Sequence, residues 1–391
     1  MSAMTQAEIV QDAAALARLC ARLQGEAWVA LDTEFMRVDT YYARLCLIQL
    51  ATPEWVAVID PLALGDLAPL LDLIYAPRLL KVIHSARQDL EVFADICRSG
   101  AYRDRGRQDT EGDRGTPPAP VFDTQIAAAL CGHAEQIGYG ALVEAVTGKK
   151  LAKLHTRADW ARRPLAPELI RYAEEDVRDL CDVYAALAGR LTELGRAEWL
   201  AEECAALTDP ALYRNDPELA FRRIKPGNQL APPAQAVLAQ LTAWREREAQ
   251  SQNLPRNWVL NDAALMAIAR AAPPTPERLG AIKDVHGAAV RKWGEAILEA
   301  VRAGQRAPAR ALFEPPVRLD PGRTELLARM QARVQAVAQE LGIGASVLAT
   351  RRDLLDLIRE PEGGALLRGW RRAPIGEELL ALRAAFAAQG G

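Results

Sequence analysis

The sequence predicts an α/β domain with a mixed sheet followed by an all-helical region, and three observations carry that prediction. Three β-rich apolar runs lie close together, WVALDTEF at 28–35, ARLCLIQLA at 43–51 and EWVAVIDP at 54–61, which marks adjacent strands of one sheet. Helical stretches then interleave with a short strand, LLKVIH, up to about residue 200, the order expected of α/β layering. Beyond a break at 206–232, punctuated by Pro and Asp, only helical patterns follow.

In chain order, a leading helix is expected over roughly 6–24, then the three strands, then a helix in LGDLAPLLDLIY. LLKVIH runs into the helical SARQDLEVFADIC. Residues 98–120 are charged, rich in Gly and Pro and almost free of aliphatic side chains, so they read as a surface loop inserted in the domain. In VFDTQIAAAL, Asp123 has the position of a helix N-cap rather than of a ligand. The C-terminal region holds a faint repeat: LAQLTAWREREAQSQNLPRNWVLNDAALMAIARAAP and LLARMQARVQAVAQELGIGASVLATRRDLLDLIREP each give a long helix, a short loop, a V-L pair, a polar cap and a second apolar helix. The expected division is 1–206, 207–310 and 311–391.

The 391 residues suffice for two or three cores of ordinary size. No run of about 18 uncharged apolar residues occurs and the N-terminus lacks a signal-peptide pattern, so a cytoplasmic, non-membrane protein is expected. Six cysteines without a C-x-x-C pair read as buried thiols, and four histidines without metal spacing give no zinc site. Residues 1–218 carry 23 basic and 34 acidic side chains, whereas residues 219–391 carry 25 and 17. An acidic half able to hold cations, joined to a basic half able to hold phosphates, fits a nucleic-acid enzyme.

Three places in the sequence carry chemistry. Asp32 and Glu34 sit two apart on an apolar strand, so both carboxylates leave the same face, and burying two like charges there without a cation is very unfavourable; solvated strand-edge carboxylates are the equal alternative. In HSARQDLEVF, Asp89 follows His84 through a strand-to-helix passage, a usual place for site residues in α/β proteins; a first-turn acid and a satisfied strand-end histidine are the plainer readings. In RYAEEDVRDL, Tyr172 and Asp176 stand at i and i+4 on one helical face, a carboxylate able to bind metal beside a phenol able to orient a water; an exposed acidic helix with Tyr172 in the core is the equal alternative. Four hard carboxylate ligands suit Mg2+, or Mn2+, rather than zinc, and two such ions serve in-line phosphodiester hydrolysis.

The order D-T-E-F, H-x-x-x-x-D-L-E-V-F and Y-x-x-x-D resembles the DEDD exonuclease superfamily, in its tyrosine-bearing subgroup. The longer stretches DTEFMRVDTYYARLCLIQLA, VFDTQIAAALCG and RADWARRPLAPELIRYAEEDV resemble ribonuclease D, and WREREAQSQNLPRNWVLNDAAL is similar to the helicase-and-RNase-D C-terminal (HRDC) domain. The resemblance implies a ribonuclease-H-like exonuclease domain followed by two HRDC-like helical domains. It implies that Asp32, Glu34, Asp89 and Asp176 bind the metal ions and that Tyr172 positions the attacking water. The implied activity is release of nucleoside 5′-monophosphates from RNA 3′ ends, notably of tRNA precursors, with no obligate protein partner evident.

Expected substrate contacts are Phe35 and Met36, which directly follow the first motif, together with His84, Lys153, Arg157 and Trp160. Lys149, Lys150, Arg162 and Arg163 belong to the same basic approach. Farther on, Arg222, Arg223, Lys225, Arg368, Arg371 and Arg372 are candidate phosphate contacts, and Trp370 is as suited to packing as to stacking. The rivals are a DNA-directed exonuclease of the same superfamily and a noncatalytic nucleic-acid scaffold.

Overall fold

Six strands form one mixed sheet in the order β1-β4-β3-β2-β5-β6. They are β1 (Glu8–Val10), β2 (Trp28–Met36), β3 (Arg44–Ala51), β4 (Val56–Ile59), β5 (Leu80–Ile83) and β6 (Val121–Asp123). β1 runs parallel to β4, β4 antiparallel to β3, and β5 parallel to both β2 and β6. The computed structural model describes residues 7–98, 115–151, 158–313, 319–360 and 364–388. It divides into two units, one of Met1–Met36, Leu45–Tyr213 and Arg318–Gly391, the other of Arg37–Arg44 and Arg214–Val317.

The expected leading helix begins later than its pattern suggested. Residues 8–10 pair as the edge strand β1, and Asp12, accepting the Ala15 N–H at 2.8 Å, starts α1 (Ala13–Leu23). α1 buries Ala15, Leu16, Leu19, Cys20 and Leu23, the stripe expected of a helix lying on a sheet. α2 (Ala68–Ile74) and α3 (Arg87–Arg98) follow as the sequence indicated. Strand β6 was hidden because three residues are too few to show alternation; it is registered by Lys81↔Val121. Asp123, at its end, caps α4 (Thr124–Leu130) through the N–H groups of Gln125 and Ile126, and accepts from Ser85 and Ala86 as well. One carboxylate therefore starts α4 and fixes the chain entering α3. The body continues through α5 (Tyr139–Thr147), the 27-residue α6 (Pro167–Glu193) and α7 (Ala197–Leu207).

The second unit is helical: α8 (Pro232–Ser251), α9 (Arg256–Val259), α10 (Asp262–Ala271), α11 (Pro276–Gly280) and α12 (Gly287–Arg306). Its apolar core joins Val237, Leu238 and Leu241 of α8 to Leu265 and Ile268 of α10 and to Ile297, Leu298 and Val301 of α12. The first unit ends with α13 (Pro321–Leu341), α14 (Ala345–Leu348), α15 (Arg351–Arg359) and α16 (Glu377–Ala388).

The two helical runs repeat at a constant offset, beginning their helices at Pro232 and Pro321, Arg256 and Ala345, Asp262 and Arg351. Between short and next helix, Leu260 (φ −160°, ψ 127°) matches Ala349 (φ −156°, ψ 128°), and Asn261 and Thr350 cap the helices that follow. The two V-L pairs of the sequence are therefore one residue out of step: Val259–Leu260 corresponds to Leu348–Ala349. Each long helix gives way to a residue in the left-handed region, Asn253 (φ 49°) and Gly342 (φ 66°), where Asn and Gly are tolerated.

Within the first unit the second run shares the core of the catalytic body. Leu326, Met330 and Val334 of α13 belong to one cluster with Leu180, Leu187 and Leu191 of α6 and Leu200 of α7. Trp370 is 6 % exposed and stacks on Trp199 with ring centroids 4.3 Å apart, while its indole N–H donates to Glu203 at 2.7 Å. Glu202 accepts the Trp370 backbone N–H at 2.8 Å. A Cβ at Gly369 (φ 57°) would lie 2.0 Å from that Glu202 carboxylate, so the approach requires glycine. Arg371 pairs with Glu203 and donates to the carbonyls of Val347 and Leu348. Trp370 and Arg371 thus hold the fold together rather than face a ligand.

Candidate active site

Strand β2 and helix α6 bring three carboxylates together: ligand atoms of Asp32, Glu34 and Asp176 all lie within 4.8 Å of one another. β2 enters the sheet through Val29, Ala30 and Leu31, all fully buried, and its alternation carries Asp32 and Glu34 out on one side. Pro167 opens α6, and two and a half turns on, Asp176 arrives opposite the strand. The Tyr172 hydroxyl hydrogen-bonds the Asp176 carboxylate, the i,i+4 pairing the sequence implied.

Asp89 is placed differently. It is buried in the first turn of α3 and lies outside the group of three. Its carboxylate accepts the Thr33 hydroxyl at 2.5 Å and the Thr33 backbone N–H, which ties α3 to β2 beside the cluster. Its charge is felt by Glu34, and it feels the charge of Asp32 in turn. Thr33, the middle residue of D-T-E, carried no signal in a single sequence, because strand alternation sends it away from its neighbours.

Electrostatics define what the cluster can do. Burial, and then the Asp176 charge, push Asp32 up to about 7. Burial, and then Asp32, Asp176 and Asp89, push Glu34 up to about 9. Asp176 rises to about 7 and Asp89 also rises, in both cases chiefly by burial. Half-buried carboxylates crowded in this way hold protons unless a cation neutralises them. The all-oxygen donor set fits a hard divalent cation, so the acidic cluster could hold one, which is consistent with the mechanism of a cation-dependent exonuclease. Tyr172 is raised by burial and then by the Asp176 charge, so it stays a phenol, a hydrogen-bonding group rather than a base.

A second tyrosine, missed in the sequence, supports the helix. The Tyr139 hydroxyl donates to the Asp176 carbonyl, and its ring lies 5.5 Å from that of His84. His84 meets Thr124 through Nδ1 at 3.0 Å and is kept below its usual range mainly by burial. Its described contacts are those of a satisfied strand-end histidine.

The basic approach is only partly free. Trp160 is 4 % exposed and packs with Cys46, Leu47, Val58 and Ala173, its ring 6.2 Å from that of Tyr172. A covered indole cannot stack on a base, so its expected place among the RNA contacts is corrected to that of a seat for Tyr172. Arg163 donates through Nε and Nη2 to both oxygens of Asp60 at 2.6 Å and to the Cys46 carbonyl at 2.8 Å, which pins the entry to α6 against β3 and β4. Lys149 binds Asp179 of α6 at 2.8 Å. Met36 packs against the same cluster as Trp160, and Phe35 is half-buried. Arg162 is exposed, whereas Lys153 and Arg157 lie outside the described residues, as do positions 99–114 of the inserted loop. No disulfide joins any two of the six cysteines, and four of them are buried. No described helix is long and apolar enough to cross a membrane.

Known proteins agree with this geometry. Residues 7–192 match the 3′-5′ exonuclease family, and residues 234–301 match the HRDC domain. Ribonuclease D of Nitrobacter hamburgensis is 39 % identical over 381 residues, covering 96 % of this chain and 95 % of its own. Ribonuclease D of Gluconacetobacter diazotrophicus is 41 % identical over 367 residues, covering 93 % of this chain and 89 % of its own. The crystal structure of Escherichia coli RNase D superposes with a TM-score of 0.83 at 31 % identity, covering 97 % of this chain and 99 % of that one. An exonuclease sheet, a trio of carboxylates able to hold a cation and near full-length kinship together place the chain in the ribonuclease D family of 3′-5′ exoribonucleases.

Proposed function

We propose that this chain trims RNA from its 3′ end by two-metal-ion hydrolysis, releasing nucleoside 5′-monophosphates, with tRNA precursors bearing 3′ extensions as its main substrates. The observation that carries the reading is the convergence of Asp32, Glu34 and Asp176. Asp32, Glu34, Asp176 and, after rotation away from Thr33, Asp89 hold the cations, Mg2+ or Mn2+. When bound, such a pair stabilises the charge on the entering and leaving oxygens of an in-line displacement. Tyr172, seated on Trp160 and hydrogen-bonded to Asp176, orients the attacking water through its hydroxyl. Phe35 and Met36 flank the terminal bases, with Lys153 and Arg157 on the phosphates and His84 at the margin.

The E. coli neighbour is an exoribonuclease involved in structured RNA processing, which supports an RNA rather than a DNA substrate. We read the helices of 311–391 as a second HRDC-type domain after the first at 207–310 and the nuclease at 1–206. The constant offset between the helical runs supports this division.

The test is release of label from 3′-labelled and 5′-labelled RNA, with and without Mg2+, beside DNA of the same sequence. The expected result is early loss of the 3′ label only with Mg2+, faster on RNA, and abolished by Asp32→Asn. Equal RNA binding by Asp32→Asn and wild type, with no shortening by either, would make the chain a scaffold. A strong preference for DNA would overturn the substrate class.

A further inference from the structure

The chain leaving β2 at Met36 enters the second unit, where the first helical run holds residues 37–44. Tyr41 is buried there beside Ala249 and Val259. Asn253 Oδ1 accepts the backbone N–H groups of both Tyr41 and Tyr42 at 3.0 Å. The Tyr41 hydroxyl donates to Glu246 and accepts from Arg256 at 2.7 Å and Gln250 at 3.2 Å. The Arg256 guanidinium lies 4.6 Å from the Tyr41 ring centroid and binds Glu246 through Nε and Nη2, both at 2.6 Å. Glu246 is 0 % exposed, so one tyrosine is fixed by an ion pair with a buried carboxylate, a carboxamide and a cation over its ring.

The other helical run shows that this apparatus is not needed to build the fold. At the offset that aligns the helices, Gly342 stands where the first run has Asn253, Gln335 where it has Glu246, and Ala345 where it has Arg256. Gln335 is exposed. The same helix order forms without the three side chains, and their shared partner in the first run is the segment that follows the metal-binding strand.

We propose that Asn253, Glu246 and Arg256 are positioning residues for the nuclease reaction: by clasping Tyr41 and Tyr42, the first helical run fixes the segment into which the chain passes directly after Glu34 and Phe35. The proposal rests on the reading of Glu34 as a cation ligand.

Asn253→Gly removes the accepting oxygen while keeping a residue at ease with positive φ, and Asn253→Asp restores an oxygen. Full-length proteins, with folding checked by thermal melting, are assayed on a longer single-stranded RNA and on an RNA dinucleotide. Asn253→Gly should lower kcat on both substrates by about tenfold or more, with KM changed less than about twofold. It should also raise the Mg2+ needed for half-maximal rate, and Asn253→Asp should recover most of the loss. Tyr41→Phe, which keeps the ring, should show a smaller fall of the same kind.

Unchanged kcat on the dinucleotide with a raised KM for the long RNA would overturn the proposal, making the clasp a tether alone. Failure of Asn253→Asp to recover either constant would also overturn it. A wild-type protein that cleaves neither RNA would refute the functional reading instead. The clasp is then judged by Mn2+ affinity, which should fall in Asn253→Gly and return in Asn253→Asp; equal affinities would reject it.

Discussion

The two helical runs share an order of helices and differ in what their surfaces are used for. The first keeps an ion pair between the buried Glu246 and the partly exposed Arg256, and an exposed Trp258 at 59 %. The second replaces the ion pair by Ala345 and Gln335 and covers its tryptophan, Trp370, with Trp199. One fold thus serves as a holder of a loop in one copy and as a wall of the catalytic body in the other. Helical order is set by caps and an apolar stripe, which leaves the remaining side chains free to take separate tasks.

The sharpest way to break this contrast is Trp370→Ala. Removing a stacked, covered indole should cost about 3–5 kcal/mol in chemical denaturation, and activity should fall with it because the same core carries α6. A loss under about 1 kcal/mol would mean that the second copy is not part of that body.

Cation binding should divide the units next. Asp32, Glu34 and Asp176 have folded-state values raised to about 7, 9 and 7, so without metal the folded protein binds more protons than the unfolded chain above pH 4. Stability of the first unit should therefore fall as pH rises from about 4 through 7 to 9. Mg2+ at a hundredfold over its Kd should restore about 2.7 kcal/mol at pH 8 and much less at pH 5. Melting followed separately in the two units should show the Mg2+ effect in the first alone; a pH-independent Mg2+ effect would contradict the acidic cluster.

Converting the first copy toward the second gives a smaller effect. Glu246→Gln should destabilise the second unit by about 2 kcal/mol, since Arg256 and Arg223 lose a charged acceptor but are half open to solvent. The least effect belongs to Trp258→Ala, within about 0.5 kcal/mol in denaturation, because most of the ring already meets water.

Much of the site was legible because its spacing is local. Asp32 with Glu34 follows from strand period, and Tyr172 with Asp176 from the helical turn, so each pair faces one way before any tertiary contact is known. Asp123 as a cap was readable for the same reason. What escaped depends on contacts distant in sequence. Thr33 reaches Asp89 across 56 positions and Tyr139 reaches Asp176 across 37. Arg163 and Trp160 look like RNA contacts in a basic run, yet Asp60 and a packed cluster claim them. β1 and β6 were lost because three residues give no period. The repeat was visible, but its register came only from backbone angles at Leu260 and Ala349.

Because Leu326, Met330 and Val334 pack in one cluster with Leu180 and Leu187 of α6, the helix that delivers Asp176 lacks part of its apolar support until the segment from Pro321 to Leu341 has left the ribosome. A nascent chain ending before Pro321 has Asp32, Glu34 and Asp176 in its sequence but not the full wall against which the helix of Asp176 is set. Synthesis order alone then makes the final packing of α6 a late event of folding.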